Sequence, residues 1–152
     1  MKGHSEFHKN IERDIAKSGR SIVCVCADAD SKCHSDFFAY TVGNSIKGLP
    51  ELLTFGVSRD SGFLNALSEI MIDRGRFSDG EIVDLGGKLP LCVVDAIDDV
   101  KDLFTIQVGE HFGTERYDVM QVVIPDRAGL FPWQHGCAEP FRSIHIYRRL
   151  QA

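Results

Sequence analysis

Cysteine and histidine residues are the first candidates for chemistry in this sequence, because both can bind metal ions. One residue separates Cys24 from Cys26, and one residue separates His135 from Cys137. Cys33 is followed directly by a histidine. A structural zinc site needs four such ligands, commonly with the C-x-x-C spacing that is missing here. Cys24 and Cys26 fall in a predicted strand, where reduced cysteine packs as a small apolar residue. The sequence therefore predicts no metal site, and a redox role for these cysteines stays open.

Motifs for covalent catalysis and phosphate binding are absent or weak. The sequence has no G-x-S-x-G nucleophile elbow, no Walker motif and no G-x-G-x-x-G fingerprint. The Gly86-Gly87-Lys88 run is better explained as the turn of a β-hairpin than as a phosphate-binding loop. His145, on a predicted last strand, could approach Cys137 as a base. The sequence identifies no catalytic residue, and whether the protein is an enzyme stays open.

Two segments combine polar side chains with large aromatic ones at predicted strand ends. Ligand sites are mostly apolar with a few placed polar groups, which is the composition of both segments. We expect the segments to adjoin and to border one cleft, with the aromatic rings as walls and an arginine facing an anionic group. The alternative is that each segment closes a sheet edge by ordinary packing. The candidate ligand-binding residues are Tyr40, Thr41, Gly43 and Glu51 in the first segment, and Asp126, Arg127 and Trp133 in the second.

Composition places the chain among ordinary globular proteins. Its 152 residues are 43% hydrophobic and 26% charged, and the net charge is −5. An acidic surface repels phosphate backbones, which argues against a nucleic-acid partner. No run is long and apolar enough for a membrane span, and no signal peptide is visible. Five cysteines, an odd number, indicate reduced thiols and a cytoplasmic protein.

Hydrophobic periodicity predicts a single α+β domain over residues 1–152. Runs of strands separated by helices favour a mainly antiparallel, strongly twisted sheet or half-open barrel with about three packed helices. Phe63, Leu67, Ile70 and Met71 recur with a helical period and are expected to face the core. The predicted helices cover 6–17, 60–74 and 98–112, and the predicted strands cover 21–27, 36–43, 51–57, 81–85, 91–96, 117–124 and 141–149.

Several blocks of the sequence also resemble a bacterial family described only as domain of unknown function number 4262. The resemblance spans about residues 11–133 and implies a small cytoplasmic protein with no established activity and no catalytic residues to transfer. The strand order of 21–57 with the next helix is similar to that of flavin-binding split barrels, so flavin is a candidate cofactor by fold analogy alone. The matching blocks are Ala39-Tyr40-Thr41-Val42-Gly43, Pro50-Glu51-Leu52, Phe55-Gly56, Gln121, and Pro125-Asp126 through Gly129 to Phe131-Pro132-Trp133.

Two functions are consistent with these observations. The first is a domain that binds a small molecule or cofactor in the cleft between the two segments. The second is a protein-interaction module, such as a regulator or an immunity-type partner, that uses the same aromatic residues as an exposed patch. An enclosed Trp133 would favour the first function, and an exposed Trp133 would favour the second. The ligand, the oligomeric state and the biological role are not predicted.

Overall fold

The computed structural model describes residues 2–26, 37–56, 62–86 and 90–150. The chain begins with helix α1 (Lys2–Ser18), which confirms the predicted helix and extends it toward the N-terminus. Ile11 is buried and Ile15 packs against the same core, so the apolar stripe of the sequence faces inward. The helix ends at Gly19, whose φ of 90° lies in the left-handed region that glycine adopts without strain.

The remaining regular elements of the described ranges follow the predicted order closely. Their bounds differ from the predictions by a few residues, as is usual at element ends. The strands are β1 (Ser21–Cys26), β2 (Phe37–Val42), β3 (Glu51–Phe55), β4 (Glu81–Val83), β5 (Leu91–Asp95) and β6 (Val119–Val123), and the helices are α2 (Phe63–Arg74), α3 (Val100–Leu103) and α4 (Ile106–Phe112). A short 3-10 helix (Asn44–Lys47) joins β2 to β3, and another (Phe141–Ser143) follows β6.

The strands form one sheet in the order β1-β2-β3-β6-β5-β4. Four neighbouring pairs are antiparallel, including the predicted β4–β5 hairpin, whereas β3 and β6 are parallel. The sheet is therefore mixed and open: antiparallel pairs predominate as predicted, whereas the parallel pair was not predicted and the described strands do not close into a barrel. The parallel pair is feasible because the long connection from Phe55 to Val119 provides the crossover that parallel strands require.

Both faces of the sheet are covered. Alternate strand residues point to opposite faces, so neighbours such as Leu52 and Leu53 belong to different cores. Leu52 packs with Leu67 and Met71 of α2 in what we call the α2 core. Leu53 packs with Ile11 of α1 and with residues of α3 and α4 in the α1 core. The predicted inward face of α2 is thus confirmed.

Two predicted elements are wrong. The single helix predicted over 98–112 is divided into α3 and α4, because the chain leaves helical geometry at Phe104 and Thr105. The strand predicted over 141–149 is absent: the described chain there has a 3-10 turn and one isolated bridge between Ala96 and Arg148. Pro140 and the short turn after it prevent a continuous ladder in this stretch.

Cys24 and Cys26 lie in β1 as predicted, but Cys24 is exposed instead of packed in the core. The strand β1 is an edge of the sheet, and its opposite face turns Val23 toward α1. The polar turn predicted for 28–35, which contains Cys33, lies outside the described residues. None of the helices in the described part of the chain combines the length and the apolar character that crossing a membrane requires.

Candidate functional site

The first predicted segment is organised around the carboxylate of Glu51, which is fully buried at the start of β3. Its Oε1 accepts hydrogen bonds from Thr41 Oγ1 at 2.7 Å and from the Asn44 amide at 3.0 Å. Its Oε2 accepts from the amides of Gly43 at 3.0 Å and Ser45 at 3.1 Å, and from the Ser45 hydroxyl at 2.8 Å. Burial raises the pKa of Glu51, and these hydrogen bonds act in the opposite direction.

The donors around Glu51 are themselves held in place. Thr41 Oγ1 also accepts from the Leu52 amide at 2.9 Å. The side-chain carboxamide of Asn44 donates to the Ser68 hydroxyl at 2.9 Å through Nδ2. Its Oδ1 accepts from the buried guanidinium of Arg20 at 3.1 Å. Such a satisfied network fixes the β2–β3 connection and offers no spare acceptor to a ligand. The structure therefore brings Thr41, Gly43 and Glu51 together as predicted, as an internal brace of the fold.

The backbone of this connection explains the glycine in the pattern. Gly43 has φ of 138°, and a Cβ atom there would lie 2.6 Å from the Gly19 carbonyl oxygen and 2.8 Å from the Arg20 Cα. Only glycine fits such a close approach of two chain segments. The role of Gly43 is thus to admit the end of α1 against the β2–β3 connection.

Tyr40 lies inside the α1 core with 1% of its surface exposed. Its hydroxyl accepts a hydrogen bond from the Gln107 amide at 3.2 Å. Burial raises the pKa of Tyr40 to about 12, so the phenol stays neutral. A ring in this position packs the sheet against α4 and does not form the wall of an open cleft.

The second predicted segment comes after the C-terminal end of β6, at the opposite end of the sheet from Glu51. β2 runs antiparallel to β3, and β3 runs parallel to β6, with Glu51 beside Val119. The C-terminal end of β2 therefore lies near the start of β6, and Tyr40, opposite Leu53, is level with Gln121 in the middle of β6, whereas Asp126 comes after its end. β6 has five residues and is about 16 Å long. The structure does not bring the two predicted segments together.

Asp126 organises the second segment through both carboxylate oxygens. Its Oδ1 accepts from the amides of Ala128 at 2.9 Å and Leu130 at 2.8 Å, and its Oδ2 accepts from the Ala138 amide at 2.9 Å. Only 3% of the residue surface is exposed. These backbone N–H groups, that of Ala138 first, lower the pKa of Asp126 below its ordinary value of 3.8. We call residues 126–141 the aromatic loop, and Asp126 ties its two halves together.

Trp133 and Phe131 form the aromatic centre of this loop. Their rings stack with centroids 5.1 Å apart and planes at 12°. Phe131 is buried in a small core with Cys92, Val94 and Val123. Trp133 keeps 52% of its surface exposed. The sheet thus anchors Phe131, and Phe131 in turn presents one face of Trp133 to the exterior.

A groove of about 520 Å³ lies beside the loop. Asp126 and Arg127 belong to its wall, and the Arg127 side chain is exposed with no ion pair among the described residues. Most of the lining is apolar side chain or backbone. The lining residues are Asp126, Arg127, Ala128, Gly136, Ala138, Glu139, Pro140 and Phe141.

Sequence reasoning missed the residues that brace the aromatic loop from within. Gln134 Oε1 accepts the Phe131 amide at 2.8 Å, and the Cys137 thiol donates to the Leu130 carbonyl at 3.3 Å. Burial raises the pKa of Cys137, so this thiol is a poor nucleophile. The only signal in the sequence was the repeated turn chemistry of Pro125, Gly129 and Gly136, which indicates a tight loop and not its internal partners.

The pH dependence of stability should report on Asp126. Its lowered pKa means that folding favours the carboxylate, so its stabilising effect is present above pH 3.8 and is lost as the pH falls through the folded-state pKa. We expect Asp126→Asn to lower the free energy of unfolding at pH 7. The difference in unfolding free energy between this variant and the parent chain should become smaller in acid. Denaturant titrations of both chains between pH 7 and pH 3 measure this difference in unfolding free energy. A gap that stays constant across that range would contradict the assignment.

Comparisons with known proteins leave the activity open but identify the family. Among curated proteins and among solved structures, none matches the chain. A family model described as domain of unknown function (DUF4262) matches residues 14–138. That range runs from the second half of α1 to the Asp126–Ala138 contact, and therefore includes both segments described above. The chain belongs to the DUF4262 family.

Proposed function

We propose that the protein is a binding module whose aromatic loop docks a partner protein. The observation that carries the proposal is the exposed face of Trp133, supported from beneath by the stacked ring of Phe131. Tryptophan and arginine dominate the binding energy of protein interfaces, and Arg127 lies on the same loop. A large aromatic ring that is held in place and half exposed favours this reading over an enclosed cofactor site.

The rigidity of the aromatic loop supports the same function. Asp126, Gln134 and Cys137 each bond the loop to itself, as described above. A surface that is already ordered loses less conformational entropy when a partner binds. The loop is therefore pre-organised for recognition, while its own polar groups are occupied.

The chemistry of the loop favours binding over covalent catalysis. Asp126 has both oxygens in hydrogen bonds to backbone amides, so it is not free to accept a substrate proton. The pKa of Cys137 is raised, and its thiol donates to a carbonyl within the loop. The groups that a nucleophilic mechanism would need here serve the loop instead.

The partner is expected to be an acidic segment with a bulky apolar side chain. The guanidinium of Arg127, which has no ion pair within the described part of the chain, would meet a carboxylate of the partner. The apolar lining around Pro140 and Phe141, in the same loop as Trp133, would receive the side chain. The odd number of cysteines fits a partner in a reducing compartment such as the bacterial cytoplasm.

Replacing Trp133 by alanine should abolish partner binding and leave folding intact. The ring is half exposed, so its loss opens no cavity in the core. The test selects peptides from a phage library on the immobilised chain and measures their affinity by calorimetry. The chain has a single tryptophan, so a blue shift of its fluorescence on peptide addition reports burial of Trp133 itself.

The matched control is Leu103→Ala, which removes another exposed apolar side chain from a different surface. It should bind the selected peptides with the affinity of the parent chain, whereas Trp133→Ala should bind at least about 100-fold more weakly, the loss expected at an interface hot spot. Equal affinity in the Trp133→Ala chain would contradict the proposal, and so would a library that yields no specific peptide.

A second candidate is the binding of a small molecule in the groove. Its volume of about 520 Å³ lies in the range of ligand sites, and Arg127 would orient an anionic group. Thr41, Gly43 and Glu51 would not contribute contacts, because they lie at the other end of the sheet, and Tyr40 would not because its ring is buried in the α1 core. Native mass spectrometry with an absorption spectrum of freshly purified protein tests this function, since a retained ligand would appear as added mass.

A further inference from the structure

Another pocket, of about 390 Å³, lies at the Glu51 end of the sheet, away from the aromatic loop. Its lining comes from the connection between β2 and β3, the start of α3, the residues just before β6, and the stretch around Arg149. Backbone hydrogen bonds hold these stretches to the sheet. The Glu51 amide donates to the Asp118 carbonyl at 2.9 Å, and the Arg149 amide donates to the Asp95 carbonyl at 2.7 Å. The shape of the pocket is therefore fixed by the sheet.

Positive charge prevails in the lining of this pocket, although the protein as a whole is acidic. Three cationic side chains line it, those of Lys101, Arg116 and Arg149, together with the two carboxylates of Asp98 and Asp118. The net charge of the chain is −5, so the sign of the lining is opposite to that of the protein. A concave site with an excess of one sign of charge attracts ligands of the other sign.

Both carboxylates of the pocket already have cationic partners. Asp98 Oδ1 lies 3.3 Å from Lys101 Nζ and 3.0 Å from Arg149 Nη2. The hydrogen bond and charge of Lys101, and then the charge of Arg149, lower the pKa of Asp98 below its ordinary value of 3.8. Asp118 Oδ2 accepts a hydrogen bond from Arg76 Nη1 at 2.9 Å. Because one carboxylate is shared by two cations, it compensates the charge of only one of them.

Arg116 is the cation of this pocket that is available to a ligand. Its side chain is exposed, and within the described part of the chain its guanidinium forms no ion pair. Lys101 is held in place, since its Nζ donates to the Glu115 carbonyl at 2.9 Å and lies 5.0 Å from the centre of the Tyr117 ring. A guanidinium presents its N–H donors in one plane and can bind two oxygens of an anion at once.

We propose that this pocket binds a small molecule that carries a phosphate group. A phosphate ester has three acceptor oxygens and a charge of about −1.5 to −2 at neutral pH, which suits a cluster of cations better than a single carboxylate does. The volume of the pocket lies within the range of ligand sites and exceeds the need of a phosphate ion alone. The rest of the molecule would lie against Gly48 and Leu49 of the β2–β3 connection. This site does not depend on the proposed docking of a partner protein at the aromatic loop.

The test measures the affinity of inorganic phosphate, glycerol 3-phosphate, ribose 5-phosphate, glucose 6-phosphate and acetate by calorimetry. The ionic strength is kept constant, because salt screens exposed charges. We expect at least one of the three esters to bind at one site per chain, more tightly than inorganic phosphate and at least about 10-fold more tightly than acetate. An absence of saturable binding by all three esters would overturn the proposal. So would inorganic phosphate or acetate binding as tightly as the best ester.

Arg116→Ala should weaken the binding of the best ester at least about 10-fold, the value of one hydrogen bond between charged groups. Arg149→Ala should weaken it as well. Arg127→Ala is the matched control, because it removes the same charge from an exposed arginine at the opposite end of the sheet. Circular dichroism of each variant verifies the fold. Unchanged affinity in Arg116→Ala, or an equal loss in Arg127→Ala, would overturn the assignment of this pocket.

Discussion

Replacing Glu51 by alanine is expected to lower the free energy of unfolding by about 3–5 kcal/mol. The substitution leaves the amides of Gly43, Asn44 and Ser45 without their acceptor in a fully buried site. Each buried donor that loses its partner costs about 1–3 kcal/mol. Urea titration followed by circular dichroism measures the change, and an unaltered slope would show that the folded state stays compact.

Glu69→Ala is the matched control for that prediction. The Glu69 carboxylate forms an ion pair with Arg20 at 3.3 Å and is 62% exposed, so solvent screens it. Removing it should cost less than about 1 kcal/mol. A Glu51→Ala effect as small as that of Glu69→Ala would show that the network around Glu51 does not hold the β2–β3 connection.

The elements that the sequence predicted well are those with a strong local period. The apolar positions of α2, such as Leu67 and Met71, repeat with the turn of a helix and are buried as expected. The strand β6 is apolar except for Gln121, and all of it is buried. Such signals come from the side chains of one segment, and so they need no knowledge of its neighbours.

The features that sequence reasoning could not predict depend on which segments meet. Strand propensity does not say which strand β6 pairs with, so the parallel pair with β3 was missed. The stretch 141–149 has a strand-like pattern, but the Gln121 side chain takes its backbone groups instead. Gln121 donates to the His145 carbonyl at 2.9 Å and accepts the Tyr147 amide at 2.7 Å. One side chain of β6 thus replaces a strand ladder.

The outcome at the candidate site residues also depends on contacts between segments. Thr41, Glu51 and Asp126 were selected because polar groups beside aromatic residues often bind ligands. Each of them instead has backbone amides or hydroxyls of this chain as partners. Residue type cannot reveal whether a polar group is already satisfied, because its partners lie several residues away or on another strand. Trp133 differs, since its exposed ring has half of its surface left for a partner.

The proposed docking surface on the aromatic loop and the Glu51 network therefore lie at opposite ends of the sheet. The parallel strands β3 and β6 connect them, with Glu51 at the start of β3 and Asp126 after the end of β6. A change at the Glu51 end that preserves the fold should leave partner affinity at Trp133 unchanged. This separation allows the binding proposal to be tested with variants that do not disturb the core.

Leu67→Ala should destabilise the protein by about 2–5 kcal/mol. Leu67 is fully buried in the α2 core, where it packs with residues such as Leu52 and Val122. Truncation removes apolar contacts and leaves a cavity that a packed sheet can close only in part. Ile72→Ala in the same helix is the control, because Ile72 is 40% exposed. Both variants change helix propensity in the same direction, so their difference in urea midpoint isolates burial. Equal midpoints would show that α2 does not cover the sheet through Leu67.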